Sequence, residues 1–194
     1  TPEFSATVLK GLVENYKIRA IITQPDKKVG REGKIVFPPV KQVGIDNTIL
    51  VLQPNKIMDE YQALKDMEPD LLITCAYGKI LPREILELPR LGCINVHASL
   101  LPKLRGGAPI HRAIINGYTK TGVTIMYMSE GMDEGDMISF KETEITETDT
   151  AETLHDRLSI IGRDLLLETL PSIINKTNQR KKQNNDEATY GFTS

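Results

Sequence analysis

Apolar positions fall into two patterns that alternate along the chain. Five short β-rich runs lie at Ile18–Thr23, Thr48–Leu52, Asp70–Tyr77, Gly92–Val96 and Gly122–Met128, and four of them are almost continuously apolar. Such runs suit strands covered on both faces, as in a parallel sheet flanked by helices. Between them, Glu3–Tyr16, Pro39–Val43, Asp59–Met67, Arg83–Leu88 and Pro109–Asn116 read as helices. The alternation predicts a doubly wound α/β domain, a mostly parallel sheet with helices on both faces. A longer helix follows. Thr150 caps it, Glu152 sits in its first turn, and Leu154, Leu158, Ile161, Leu165, Leu166 and Leu170 recur at helical spacing.

The ends fit this pattern less well. Thr1-Pro2-Glu3 is a helix start, with Thr as cap and Pro at the first helical position. A parallel α/β domain that opens on a helix is expected to have a strand before it, so a first strand is expected ahead of Thr1. Residues 1–176 are expected to form the catalytic domain. The polar, helix-poor run Asn175–Ala188 has no evident core to join. Residues 177–194 are therefore expected to be a linker toward a further carboxyl-terminal domain.

Composition narrows the class. The chain has 194 residues, 40% hydrophobic and 26% charged, as expected of one ordinary globular domain. No run nears the ~18 apolar residues that span a bilayer, and no signal peptide is visible. Cys75 and Cys93 both lie inside apolar strand-like runs, which predicts buried reduced thiols and a cytoplasmic setting. The net charge of −2 lacks the basic excess usual in a protein that grips nucleic acid unaided.

The densest chemistry lies in Gly92–Asp136. Asn95 and His97 stand two residues apart on a strand, so both side chains project to one side. The strand breaks at His97 into the Pro/Gly-rich loop Ala98–Gly107, at the strand end where open α/β sheets bind ligands. Pro102, Gly106 and Gly107 let backbone approach a ligand closely while keeping the loop fairly stiff. An asparagine amide can donate to an oxygen that gains charge in acyl transfer, worth roughly 10²–10³ in rate. A histidine titrating near neutrality can move the proton, worth roughly 10²–10⁴. A carboxylate is wanted to hold the imidazole. The loop Ser129–Asp136 offers Glu130, Asp133, Glu134 and Asp136, and spacing does not choose among them. A lone histidine at a strand end is more often structural, and an acidic Gly-rich loop is more often a solvated turn. The company of Asn95, the strand end and the Pro/Gly loop outweighs the structural explanation for His97. His111 and His155 are expected at the surface or in packing, and Cys93 in the core.

At these residues the chain resembles the folate-dependent formyltransferases. The likeness rests on Asn95-Val96-His97, Ser99-Leu100-Leu101-Pro102 and Arg105-Gly106-Gly107-Ala108-Pro109. It extends to TPEFS at the start, Thr23–Arg31, Pro38–Lys41, Ala76–Pro82 and Thr121–Met128, nearly the whole chain. The string from Asn95 to Pro109 with further matches in order is highly specific, and it is most similar to bacterial members that act on methionyl-tRNA. The resemblance implies a Rossmann-like fold and a catalytic trio of Asn95, His97 and Asp133. Asn95 would steady the oxyanion, His97 would polarise the formyl group and handle the proton, and Asp133 would orient His97 and favour its charged form. The formyl donor would be 10-formyltetrahydrofolate, bound by Ser99, Leu100, Leu101 and Pro102 with Tyr77, Ile80 and Leu81. No metal is expected. The acceptor would be the α-amine of initiator methionyl-tRNA, used in translation initiation by a monomer.

The basic segment Pro25–Lys34 is an ordinary solvated loop by its composition. The resemblance makes it a tRNA-docking element, with Lys27, Arg31 and Lys34 as contacts. Its charge is modest, four bases against Asp26 and Glu32. Within the family the acceptor could instead be a small amine, or water in a hydrolase. The chain could also be a folate-binding fragment without activity, against which the intact trio argues. A dinucleotide-binding oxidoreductase is disfavoured, because no G-x-G-x-x-G follows a strand.

Overall fold

The computed structural model describes residues 2–192, so the expected cap at Thr1 lies outside the described residues. In chain order come α1 (Pro2–Asn15), β1 (Ala20–Ile22), β2 (Lys27–Val29), β3 (Lys34–Val36), α2 (Pro39–Asp46), β4 (Leu50–Leu52) and α3 (Tyr61–Met67). Then follow β5 (Leu72–Cys75), α4 (Arg83–Leu86), β6 (Cys93–His97), α5 (Pro109–Ile115), β7 (Lys120–Tyr127), β8 (Met137–Glu144) and α6 (Ala151–Ile174). The α/β class and each predicted helix are present, with boundaries shifted by a few residues. Thr150 caps α6 as expected: its hydroxyl accepts from the Thr153 amide at 3.2 Å, and Thr153 Oγ1 returns the bond from the Thr150 amide at 3.0 Å.

The described strands form three separate sheets, and the four-stranded one, in the order β5-β6-β7-β8, is mixed where a mostly parallel sheet was expected. β1 pairs β4 in parallel and β5 pairs β6 in parallel, but β6–β7 and β7–β8 are antiparallel. The central residues of β7 are buried, and its apolar run reported that burial rather than its direction. β8 escaped prediction because Lys141, Glu142 and Glu144 break its apolar pattern. It is the edge of the four-stranded sheet, where charged side chains are tolerated and guard against edge pairing.

The main core lies between α1 and α6 on one side and β6–β7 on the other. Phe4, Val8 and Leu12 of α1 meet Leu154, Leu158, Leu165, Leu166 and Leu170 of α6 over Ile94, Val96, Val123 and Ile125. Each such side chain stabilises the fold by about 1.5–3 kcal/mol. Gly162 permits this approach: a Cβ there would stand 3.1 Å from both the Phe4 ring and Val96. A second cluster of Leu64, Leu81, Ile85 and Cys93 joins α3, the segment after β5, α4 and the start of β6. Cys75 and Cys93 are free thiols, and burial pushes the Cys93 thiol up to about 12. Among the described residues no helix is long and apolar enough to cross a membrane.

Residues 181–192, expected to lead away from the domain, fold back onto it. Lys181 pairs with Met137 at the start of β8, and Tyr190 pairs with Arg105 in the loop after β6. Polar composition concealed this, because most of the contacts are hydrogen bonds, with the Phe192 ring packed on Gly106.

Candidate active site

The site is assembled where β5 and β6 end. Thr74 and Asn95 are cross-strand partners in the parallel register, so their side chains share a face. Thr74 Oγ1 donates to Asn95 Oδ1 at 2.8 Å, its shortest acceptor, and the amide nitrogen then lies on the other side. Asn95 is fully buried, and among the described residues its Nδ2 has no hydrogen-bond partner. A buried amide donor without an acceptor is costly, about 1–3 kcal/mol, and calls for an explanation. An acceptor supplied by a bound molecule provides one.

His97 lies two residues on, at 2% exposure. Its Nε2 is 2.8 Å from the Leu104 carbonyl, which can only accept, so this nitrogen carries a proton. Its Nδ1 faces Asp133 Oδ2 at 3.7 Å, an ion-pair distance beyond hydrogen-bond length. With Nε2 bonded to the Leu104 carbonyl, Nδ1 is the ring nitrogen not committed to a short bond. Asp133 Oδ2 in turn accepts from the Gly106 amide at 2.8 Å. Asp133 holds a left-handed backbone, φ 52°, which turns its carboxylate inward from the loop 128–136.

That loop sorts the four acidic candidates. Asp133 is buried against His97, Asp136 is bonded by Arg180 at 3.1 Å, Glu130 stands 3.8 Å from Arg83, and Glu134 is exposed. Among the described residues no group of three or more His, Cys, Asp or Glu could hold a metal ion.

The other expected residues divide into two groups. Ser99 and Leu101 are buried and build the loop itself. Ser99 Oγ donates to the Lys103 carbonyl, while Thr124 Oγ1 donates to the Ser99 carbonyl at 2.7 Å and accepts from the Leu101 amide at 3.1 Å. Leu100 and Pro102 are half-buried beside them. Tyr77, Ile80 and Leu81 lie on the loop after β5, which abuts the other end of the same loop: a Cβ on Gly78 would stand 2.6 Å from Gly107 Cα. Leu81 is core and Ile80 is exposed, and burial raises the Tyr77 phenol above its ordinary value. A cavity of about 440 Å³ opens on the outer flank, between Lys103, Tyr118, Lys120 and Glu142; it reaches Ser99 and Leu100 but none of the trio.

Lys27 and Lys34 are on the exposed antiparallel hairpin β2–β3, with Arg31 in its turn, where the sequence suggested only a loop. Asp26 at its base is bonded by Lys41 at 2.8 Å and Gln53 at 2.7 Å, which hold its carboxyl below the usual range. His111 is exposed and His155 packs edge-on to Phe4, as expected. Three residues at the site were missed in the sequence: Thr74, Arg105 as a structural cation, and Gln183. Thr74 was detectable as a polar break in an apolar strand. Gln183 had no signal, because a glutamine in a polar tail looks like its neighbours.

The Formyl transferase family profile matches residues 2–170. A methionyl-tRNA formyltransferase of Macrococcus caseolyticus is 52% identical over 98% of this chain and 62% of its own length. The enzyme of that name from Bacillus subtilis is 50% identical over 98% of this chain and 61% of its own. Among solved structures, a phosphoribosylglycinamide formyltransferase from Bacillus halodurans superposes with a TM-score of 0.74 at 26% identity, covering 89% of this chain and 92% of that one. The chain thus spans about 62% of the length of the relatives it resembles in sequence. On the profile match and on half-identity across almost all its residues, the chain belongs to the formyl transferase family.

Proposed function

We propose that this chain is the catalytic part of an enzyme that moves a formyl group from 10-formyltetrahydrofolate to the α-amine of methionyl-tRNA. One observation carries the chemistry: the buried, unpartnered Asn95 Nδ2 beside an imidazole held between two acceptors. The folate supplies an activated formyl carbon. Asn95 Nδ2 donates to the formyl oxygen as that oxygen gains charge. His97 moves the proton from the attacking amine toward the departing folate nitrogen, and Asp133 orients the ring and balances its charge. Tyr77, Ile80 and Leu81 with Leu100 to Pro102 would hold the folate, between the two loops that meet at Gly78 and Gly107. Half-identity to relatives named for methionyl-tRNA supports that acceptor, and Lys27, Arg31 and Lys34 supply a basic hairpin to meet it.

The test is formyl transfer in the full-length protein, with His97→Ala and Asn95→Ala beside the parent. Transfer to methionyl-tRNA that is lost in both variants, with folding retained, is the expected result. Parent turnover with small amines or water but not with methionyl-tRNA would keep the chemistry and replace the acceptor. Folate binding without any turnover would reduce the site to a binding module.

A further inference from the structure

We infer that residues 181–191 are a working part of the catalytic site, and that Gln183 is a positioning residue for Asp133. The inference rests on the reading of His97 and Asp133 as the proton-handling pair. It concerns a segment beyond the 2–170 stretch that the family profile matches.

His97 is held by two groups, the Leu104 carbonyl on Nε2 and the Asp133 carboxylate facing Nδ1. Both are tied to this one segment. The Leu104 amide donates to Thr189 Oγ1 at 2.9 Å, and the Thr189 amide donates to the Pro102 carbonyl at 3.2 Å. On the other side, Gln183 Nε2 donates to the carbonyls of Asp133 and Gly135, each at 2.8 Å. Gln183 Oε1 accepts from Arg105 Nε at 3.0 Å, so both ends of the amide are used. Gln183 is therefore a buried bridge between the loop after β6 and the loop that carries Asp133.

Two features show that this bridge is more than a surface contact. Asp133 has φ 52°, a left-handed conformation that aspartate tolerates better than most residues. Its own carbonyl bond to Gln183 and its carboxylate bond to Gly106 hold it there. Arg105 is 2% exposed, and its Nε and Nη2 donate to neutral oxygens, Gln183 Oε1 and Asn185 Oδ1, the latter at 2.8 Å. A buried cation needs such acceptors. Without the segment, Arg105 would lose them and the neighbouring Gly106 amide would lose its fixed position against Asp133. The segment is pinned at both ends, by Lys181 to Met137 and by the Gly191 amide to the Arg105 carbonyl at 2.7 Å.

The deciding substitution is Gln183→Glu in the full-length protein. Glutamate keeps an acceptor for Arg105 but loses both donations to the Asp133 loop. Expected is a fall in kcat for formyl transfer of roughly ten- to a hundredfold, with KM for both substrates little changed and the melting temperature retained. The pH profile of kcat should shift as well. A second readout needs no turnover: the NMR signal of the His97 ring, identified by its loss in His97→Gln, should move and titrate at a different midpoint. Gln183→Leu, which removes all three bonds, should move it further. A parent protein inert toward methionyl-tRNA, with the His97 signal nevertheless shifted in both variants, would support the positioning role while counting against the proposed acceptor. Unchanged kcat and His97 signal in both variants would overturn the inference. Loss of activity that only follows loss of folded protein, with the His97 signal of the folded fraction unmoved, would also overturn it.

Discussion

In the proposed mechanism Asn95 depends on its neighbour. A side-chain amide at a strand end can present oxygen or nitrogen to a ligand, and only the nitrogen can donate to a developing negative charge. Thr74 favours the nitrogen-outward arrangement by giving its one proton to Asn95 Oδ1 at 2.8 Å rather than to the Ile94 carbonyl at 3.3 Å or Met128 Sδ at 3.2 Å. Thr74→Val keeps the shape and removes the proton, so the amide is free to rotate. Such a variant should lose about tenfold in kcat, the worth of one hydrogen bond of ~1.4 kcal/mol, with little change in KM. Thr74→Ser should recover most of that loss. Steady-state kinetics decide it, and a valine variant with parental kcat would remove Thr74 from the site. A contrasting expectation applies to Cys93. With its thiol pushed up to about 12 by burial, it should resist iodoacetamide at pH 8 in the folded protein, as read by mass spectrometry. Rapid labelling would mean that the cluster around Ile85 opens. At this scale the sequence was partly legible. Asn95 and His97 were picked out by strand spacing together with the strand end and the Pro/Gly-rich loop after it. Asp133 needed the family resemblance, because the choice among four acids depends on a single left-handed residue that periodicity cannot show.

Elements with apolar stripes were legible, and elements held by polar contacts were not. α6 was readable because Leu154, Leu158 and Leu165 recur on one face and Thr150 is a recognisable cap. β8 and residues 181–192 were hidden, since edge position and side-chain hydrogen bonds leave no hydrophobic period. The start of α6 contains one more polar anchor. Asp149 accepts from Arg157 Nη2 at 2.6 Å, Thr153 Oγ1 at 2.8 Å and the Thr146 amide at 2.9 Å, and its side chain is 5% exposed. The Arg157 bond foremost, then Thr146 and Thr153, hold its carboxyl well below the ordinary range. A depressed carboxyl stabilises the fold at pH values above its unfolded value of about 3.9, and this contribution fades as pH falls toward the lower folded value. Asp149→Asn should therefore melt at a lower temperature than the parent at pH 7, and the gap should narrow from pH 4 downward. Thermal melts at pH 7, 4 and 3 test this. A gap of constant size across that range would mean that Asp149 acts through shape rather than charge.

At the scale of the molecule the puzzle is how a chain of net charge −2 would meet a polyanion. The charge is not evenly spread. On the hairpin β2–β3 and its turn, Lys27, Lys28, Arg31 and Lys34 outnumber Glu32, and Asp26 is already neutralised by Lys41. Beside these charges Ile35 and Val36 are 57% and 44% exposed, an apolar strip that the domain itself leaves uncovered. A basic ribbon with uncovered apolar residues fits a docking role better than it fits a solvated turn. The sequence showed the charges but not the ribbon, because strands of three residues are too short to display a period. Phosphate contacts release counterions, so each one contributes to the salt dependence of binding. Arg31→Ala in the full-length protein should raise KM for methionyl-tRNA and lower the slope of log affinity against log salt by about one. Hydrolysis of the formyl donor, which requires no tRNA, should continue at the parental rate, since Arg31 lies outside the Asn95–His97–Asp133 cluster. Equal loss in both reactions would show that the hairpin supports the active site instead of the acceptor. An unchanged KM and slope would leave tRNA recognition to the part of the relatives' length that this chain does not span.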